Sequence, residues 1–264
     1  MKSVDSSLYD KNYFERSIST TLDVIKSGDS PIHNTILGLL PLDPGDTVVD
    51  FGCGTGILSF LLHRRYGCSV IGIDYSADAI DMGRKYNEKL GYEKVTFTHS
   101  DIEGLPALNG IKAVYLSDVV EHLYDSEIDR FFDKLNEWNR GGGKKEELFV
   151  IVHTDNTLYL RFIRPLVDFI NIITKRSTFD QLAARNKFER ERHVNLTCVQ
   201  KLTRTMKRKG YYLAKIVYPE ISDKALKNQL GYIGEFKLTK YLIKAFYPLA
   251  RPLSPSFYAL YHRI

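Results

Sequence analysis

No stretch of this 264-residue chain approaches the ~20 consecutive apolar residues that a helix needs to cross a bilayer. That lack sets aside a helical integral membrane protein. The opening residues Met1, Lys2, Ser3, Val4 and Asp5 lack the apolar core of a secretory signal. A cytoplasmic location is therefore expected, with at most a peripheral seat on a membrane surface. Cysteine is scarce: Cys53, Cys68 and Cys198 are odd in number and widely spaced. Such a set excludes a disulfide framework and fits a reducing compartment. Internal repeats and low-complexity tracts are lacking too. Neither sign of charge dominates, since 37 basic and 32 acidic residues leave a net +5. That balance permits an anionic partner without requiring one. No basic stretch interleaved with aromatics stands out, so nucleic acid is not an expected partner.

What the chain does have is the composition of a folded domain, 44% apolar and 26% charged. Its pattern alternates. A short helix is expected over residues 31–40, capped by Ser30 with Pro31 in its first turn. Buried strands are expected at 47–51, 69–73, 95–98, 113–116 and 148–152. Helical segments at 58–66 and 76–90 separate the first three. Ile128, Phe131, Phe132, Leu135 and Trp138 recur at helical spacing before Gly141, Gly142 and Gly143. Strands alternating with helices imply an α/β, doubly wound, mostly parallel sheet. Later, residues 156–174 are apolar and aromatic, 178–192 and 199–209 are helical in character, and 211–218 reads as a strand.

The sharpest local signal is Asp50-Phe51-Gly52-Cys53-Gly54-Thr55-Gly56, between the first strand and its helix. Glycine lets the backbone turn sharply and a ligand approach it closely. The loop lies at the carboxyl end of a parallel strand, where doubly wound sheets bind ligands. A dinucleotide fingerprint would place a third glycine where Ile57 stands. A dinucleotide also brings an anionic pyrophosphate to the helix N-terminus. S-adenosylmethionine (SAM) brings a cationic sulfonium, an ammonium and a carboxylate instead. An acid beside the loop suits its cations. A nicotinamide enzyme is the competing reading, because an acid after the second strand serves ribose recognition in either case.

The run from Val48 to Gly56 resembles the first motif of the class I SAM-dependent methyltransferases. The resemblance continues through Gly72-Ile73-Asp74-Tyr75-Ser76, His99-Ser100-Asp101-Ile102 and Leu116-Ser117-Asp118, and covers about residues 45–155. It implies the family's Rossmann-like fold, a seven-stranded type of sheet, here with a helical cap insertion. It implies SAM as cofactor, with Asp50, Gly52, Cys53, Gly54 and Gly56 at the loop. By the same resemblance Asp74, with Tyr75 beside it, holds the ribose hydroxyls. Asp101 and Ile102 meet the adenine, Ser117 lies near the methionine moiety, and Tyr13 closes over the cofactor.

Methyl transfer aligns a nucleophile with the methyl group and often removes a proton from it. Asp118-Val119-Val120-Glu121-His122 follows the fourth strand, at the mouth of such a site. His122 suits a general base by position and intrinsic pKa. Glu121 and His153, the latter after the fifth strand, complete the catalytic candidates, and His193 is a secondary candidate for the pocket only. Equally, Glu121 and His122 shape the loop and bond to backbone. The string also resembles the acid-x-x-Glu-His pattern of metal-using relatives, among them ubiquinone-pathway O-methyltransferases. Asp118, Glu121 and His122 would then hold a divalent ion; the metal-free alternative is preferred.

The expected organisation is an N-terminal helical lid over 1–44 and a SAM-binding α/β core over 45–155. A cap insertion over 156–196 precedes the rest of the core sheet and a basic amphipathic tail over 197–264. Tyr159, Phe162, Leu166, Phe169 and Ile173 in the cap are expected mostly as core, with some lining a pocket for a lipid, quinone or aromatic acceptor. The expected function is methyl transfer to a small-molecule, lipid-linked or glycan acceptor, at oxygen. A catalytically silent SAM-binding regulatory module and an RNA 2'-O-methyltransferase are the alternatives. In the tail, Lys237, Lys240 and Lys244 share one helical face, while Leu238, Leu242 and Phe246 share another. Either the apolar face packs on the core, or the helix seats on an anionic membrane.

Overall fold

A computed structural model describes residues 18–28, 30–138, 147–220, 222–230, 234 and 237–263. Tyr13 and the triple glycine 141–143 lie outside the described residues.

Helices α1 (Ile18–Ser27) and α2 (Pro31–Leu37) precede strand β1 (Thr47–Phe51). Ser30 caps α2 through its side chain, and the helix stops at Gly38, earlier than residue 40. There follow α3 (Ile57–Tyr66), β2 (Ser69–Asp74), α4 (Ala77–Leu90), β3 (Val95–His99) and β4 (Ile111–Ser117). A 3-10 turn at Val120–His122 leads into α5 (Asp125–Trp138) and β5 (Leu148–Asp155). A π-helical turn at Tyr159–Ile163 opens α6 (Arg164–Ile173), followed by α7 (Phe179–Arg192), α8 (Val199–Arg208) and β6 (Tyr211–Val217). Helices α9 (Asp223–Leu230) and α10 (Lys237–Ala250) precede β7 (Ser256–Arg263).

The seven strands form one sheet in the order β3-β2-β1-β4-β5-β7-β6. Strands β1 to β5 are mutually parallel, and β7 runs antiparallel between β5 and β6. The chain leaves β1 toward β2 and β3, then returns to lay β4 on the other side of β1. That reversal opens a crevice beyond the carboxyl ends of β1 and β4, the binding place of doubly wound sheets. This is the Rossmann-like methyltransferase fold.

Strand residues alternate between two apolar layers, as a period of two requires. Val49 and Phe51, Val114 and Leu116, and Val150 and Val152 join the core with Phe131, Leu135 and Met206. Val48, Ala113, Tyr115 and Ile151 face the other core, with Ile25, Leu37, Phe60 and Leu61. Sequence reasoning assigns no strand beyond residue 218 and so misses β7. Phe257, Ala259 and Tyr261 enter one core while Tyr258 and Leu260 enter the other. A strand buried on both faces lacks the polar alternation that marks a half-buried one. Helix α1 lies inside the expected helical lid over 1–44, whereas α9, short and mixed in composition, is not among the expected elements.

Phe97 of β3 fills a niche walled by three glycines. A Cβ at Gly56 would come within 2.4 Å of its ring, at Gly72 within 2.8 Å and at Gly83 within 3.2 Å. The niche seats the glycine loop against β2 and α4. Gly72→Ala places its new methyl against both Phe97 and, at 3.0 Å, Cys53 Sγ. We expect it to destabilise the fold by about 1–3 kcal/mol through overpacking. An unchanged urea midpoint in that variant would show the niche to be compliant.

Candidate cofactor and acceptor site

The loop after β1 turns through left-handed conformations at Gly52, Gly54 and Gly56, with φ of 72°, 53° and 87°. L-residues rarely adopt these angles, which accounts for glycine at each place. Two of the three are also dictated by packing, since a Cβ at Gly52 would fall 2.4 Å from Val119 and one at Gly56 the same distance from Phe97. The amides of Gly52 and Cys53 donate to the Ile73 carbonyl at 2.7 and 3.1 Å, fastening the loop to β2.

Asp74, the last residue of β2, completes that fastening. Its Oδ2 accepts from the Gly54 amide and its Oδ1 from the Ser76 amide, both at 2.8 Å. Burial pushes its pKa up, while these hydrogen bonds pull the other way. Asp50 is wholly buried beneath the loop and accepts from Ser59 Oγ at 2.6 Å. Burial raises its pKa to about 7; the Ser59 bond opposes this and the nearby Asp74 charge adds to it. The Cys53 thiol is pushed well up by burial and by both aspartates, so it stays protonated at neutral pH. Asp101 is exposed just past β3 and holds its own turn through the Gly104 amide at 2.8 Å. Ile102 is buried beside it, and the Tyr75 carbonyl lies 3.0 Å from His99 Nε2.

Acids thus stand at the ends of four neighbouring strands: Asp50, Asp74, Asp101 and Asp118. Asp74, Asp101 and Asp118 of that set complement a cationic ligand and oppose a pyrophosphate, while buried Asp50 adds little charge. The residues present therefore fit SAM better than a dinucleotide.

A second group of titratable side chains lies beyond β4 and β5. The register of those strands sets Ser117 beside His153. Ser117 Oγ donates to Asp118 Oδ2 at 3.3 Å. Asp118, held at φ 56°, turns Oδ1 to within 2.9 Å of His153 Nδ1. Burial would raise the Asp118 carboxyl, but the His153 contact outweighs it and holds the pKa below the ordinary value. The His153 ring stacks on Tyr258 of β7, centroids 4.4 Å apart. Burial pushes the Tyr258 hydroxyl up to about 12. His33 of α2 reaches the same group. Its Nδ1 sits 2.6 Å from Ser30 Oγ, and burial lowers its pKa, with Asp118 and His153 both acting on it by charge. Sequence reasoning missed His33 and Tyr258. No motif surrounds either one, and only the sheet order brings β7 beside β5.

Glu121 and His122 are engaged elsewhere. Glu121 is buried and accepts from Thr154 Oγ1 at 2.9 Å; burial raises its pKa well above the carboxylate range. Its backbone carbonyl accepts from the Asn195 amide at 3.0 Å. His122 Nδ1 lies 3.1 Å from the Arg192 carbonyl, and burial lowers its pKa to about 4. Its ring meets His193 edge to face at 4.9 Å, and His193 Nδ1 is 3.5 Å from Asp155. The 3-10 turn therefore ties the segment after α7 to β5. Asp118, Glu121 and His122 turn toward three different partners. Among the described residues, no three His, Cys, Asp or Glu side chains converge as a metal-ligating group.

The buried Asp50 makes a testable demand on pH. A carboxyl raised from 3.8 to about 7 keeps a proton in the fold that the unfolded chain releases. Its contribution is full at low pH and is lost as pH rises between those values, by up to about 4 kcal/mol. Asp50→Asn retains an acceptor for Ser59 and removes the titration. Relative to this variant, wild-type stability should fall from pH 4 to 7 and level off above. Urea denaturation across that range checks it, and a pH-independent difference would reject it.

Comparison with known proteins converges on the same region. Residues 48–143 match a family model described as a methyltransferase domain. The mitochondrial ubiquinone biosynthesis O-methyltransferase of Candida albicans is 36% identical over 90 residues, 33% of this chain and 28% of that one. A probable (S)-tetrahydroprotoberberine N-methyltransferase of Papaver bracteatum is 25% identical over 155 residues, 58% of this chain and 40% of that one. The chain thus spans less than half the length of these curated relatives. Among solved structures, geranyl diphosphate C-methyltransferase of Streptomyces coelicolor superposes with a TM-score of 0.56 at 19% identity. That match covers 88% of this chain and 73% of the other, and shares the fold. The glycine loop and the acids at the ends of strands β1 to β4 all fall within residues 48–143, the segment that matches the methyltransferase domain.

Proposed function

We propose that the protein transfers a methyl group from SAM to a hydroxyl of a small-molecule, lipid-linked or glycan acceptor. The observation that carries the oxygen-directed reading is the contact of 2.9 Å between His153 Nδ1 and Asp118 Oδ1, at the ends of adjacent strands. SAM, when bound, supplies an electrophilic methyl on a cationic sulfur. Asp74, the loop amides, Asp101 and Ser117 are the residues we assign to holding it, with Asp50 beneath them and Tyr13 from the N-terminal segment.

The Asp118 carboxylate, 2.9 Å from Nδ1, favours by its charge the His153 tautomer protonated at that nitrogen, although the pair is not aligned as a hydrogen bond. That tautomer leaves Nε2 as the basic nitrogen, which takes the proton from the acceptor hydroxyl. Tyr258 keeps the ring in place by stacking, and His33 borders the pair from α2. His122 is a poor base at a pKa of about 4. We assign it and Glu121 to positioning, through their ties to Arg192, Asn195 and Thr154.

Two substitutions separate the halves of the site. Asp74→Ala should weaken SAM binding by about tenfold to a hundredfold in calorimetry, through the lost charge-assisted hydrogen bonds. His153→Ala should leave SAM affinity unchanged and lower turnover to S-adenosylhomocysteine by about 10²- to 10⁴-fold on a panel of hydroxylated acceptors. Equal turnover by His153→Ala would overturn its role as base. SAM binding with no turnover on any acceptor would favour a silent SAM-binding module.

A further inference from the structure

The largest feature left unexplained by the site is an apolar surface on the helices that follow β5. Eleven of the fourteen exposed large apolar residues fall between residues 162 and 188 or between 238 and 249, among the described residues. On α6 and its leading turn, Phe162, Leu166, Phe169 and Ile173 recur at helical spacing and are 54–63% exposed. On α10, Leu238, Leu242, Phe246 and Leu249 form a second outward stripe. The half-buried positions Ile243 and Tyr247 lie on the opposite side of that helix. The tail helix is thus turned the other way from a packed amphipathic helix. Its apolar face is outward, and its inner side is held by polar bonds. Tyr247 Oη contacts the Pro219 carbonyl and lies 2.6 Å from Ser254 Oγ, and Lys240 and Lys244 reach Asp223 at 3.0 and 2.6 Å.

The two stripes share a root. The π-helical turn that opens α6 packs on the 3-10 turn Arg251–Leu253 that follows α10. Asn156 ties them, donating from Nδ2 to the carbonyls of Pro252 and Ser254 at 2.8 and 2.9 Å. Helix α9 bridges them farther out, packing on α6 and supplying Asp223 to α10. Asn156 directly follows Asp155, the end of β5, so the apolar surface adjoins the titratable group around His153.

Charge says what covers it. Residues 157–192 hold eight Lys and Arg against four acids, and residues 237–264 hold five against none. With a net charge of +5 over the whole chain, the remainder is net acidic. Exposed Arg161, Lys175, Lys237 and Arg251 lie on or beside the apolar stripes. Long cationic side chains flanking an outward apolar face suit the boundary between acyl chains and anionic headgroups. No helix among the described residues is long and apolar enough to cross a membrane.

We infer that α6 and α10 together form a docking surface for an anionic phospholipid bilayer, which brings the acceptor site to the headgroup layer. This deepens the methyltransferase reading by favouring an acceptor carried in the membrane, and rests on that reading only for what the adjoining site does. The test uses the full chain with vesicles of phosphatidylcholine alone or mixed with phosphatidylglycerol. Co-sedimentation with the mixed vesicles is expected, weakened by raised salt and far weaker with phosphatidylcholine alone. Phe169→Glu combined with Phe246→Glu should weaken it by about tenfold or more. SAM affinity measured without vesicles should not move in that variant, which reports that its core is intact. Failure to sediment with anionic vesicles, or undiminished binding by the double variant, would overturn the dock. So would a wild-type dimer that ignores vesicles and is split by the double variant, which would assign the surface to a second copy. Binding that appears only after residues 1–17 are removed would assign it to that segment instead. Vesicle binding without SAM binding would sink the methyltransferase reading and leave the dock standing.

Discussion

One carboxylate joins the parts of this site. Asp74 receives the Gly54 amide on one oxygen and the Ser76 amide on the other. The first amide belongs to the loop after β1, the second to the cap of α4. A single charged group thereby fixes where the glycine loop sits against the end of β2. Backbone amides hold it without rotamer freedom on the donor side, so the arrangement costs little entropy beyond that of the loop itself. Phe97 gives the same loop an apolar seat, and the Ile73 carbonyl anchors it on the β2 side.

Around that anchor the molecule separates its charges by task. Acids cluster at the ends of β1 to β4, and those of β2, β3 and β4 (Asp74, Asp101 and Asp118) complement a cationic cofactor. Asp50 and Glu121 are buried deeply enough to favour their protonated forms. Asp118 stays ionised because His153 faces it. Carboxyls in one region thus differ in protonation through differences in burial and partners. The basic excess lies elsewhere, on residues 157–192 and 237–264, beside the exposed apolar stripes of α6 and α10.

The family's first motif and its three later echoes were legible because each is local. A turn after a strand needs glycine at given positions, and an acid at a strand end needs only its neighbours in sequence. The alternation of strands and helices was legible for the same reason, through periods of 2 and 3.6. The motif marks His122 as a base, yet burial, only partly offset by the Arg192 carbonyl, lowers its pKa, and no local string encodes either.

By itself, then, the sequence determined the α/β alternation, the glycine loop and the acids that suit SAM, all of which follow from residues near one another along the chain. Tertiary structure alone decided three things. It slotted β7 between β5 and β6, stacking Tyr258 on His153. It carried His33 from an early helix to the same place. It also turned the apolar face of α10 outward, a choice that amphipathic spacing leaves open. Each is a contact or exposure set by packing between distant segments, and a periodic pattern specifies a face without naming what that face meets.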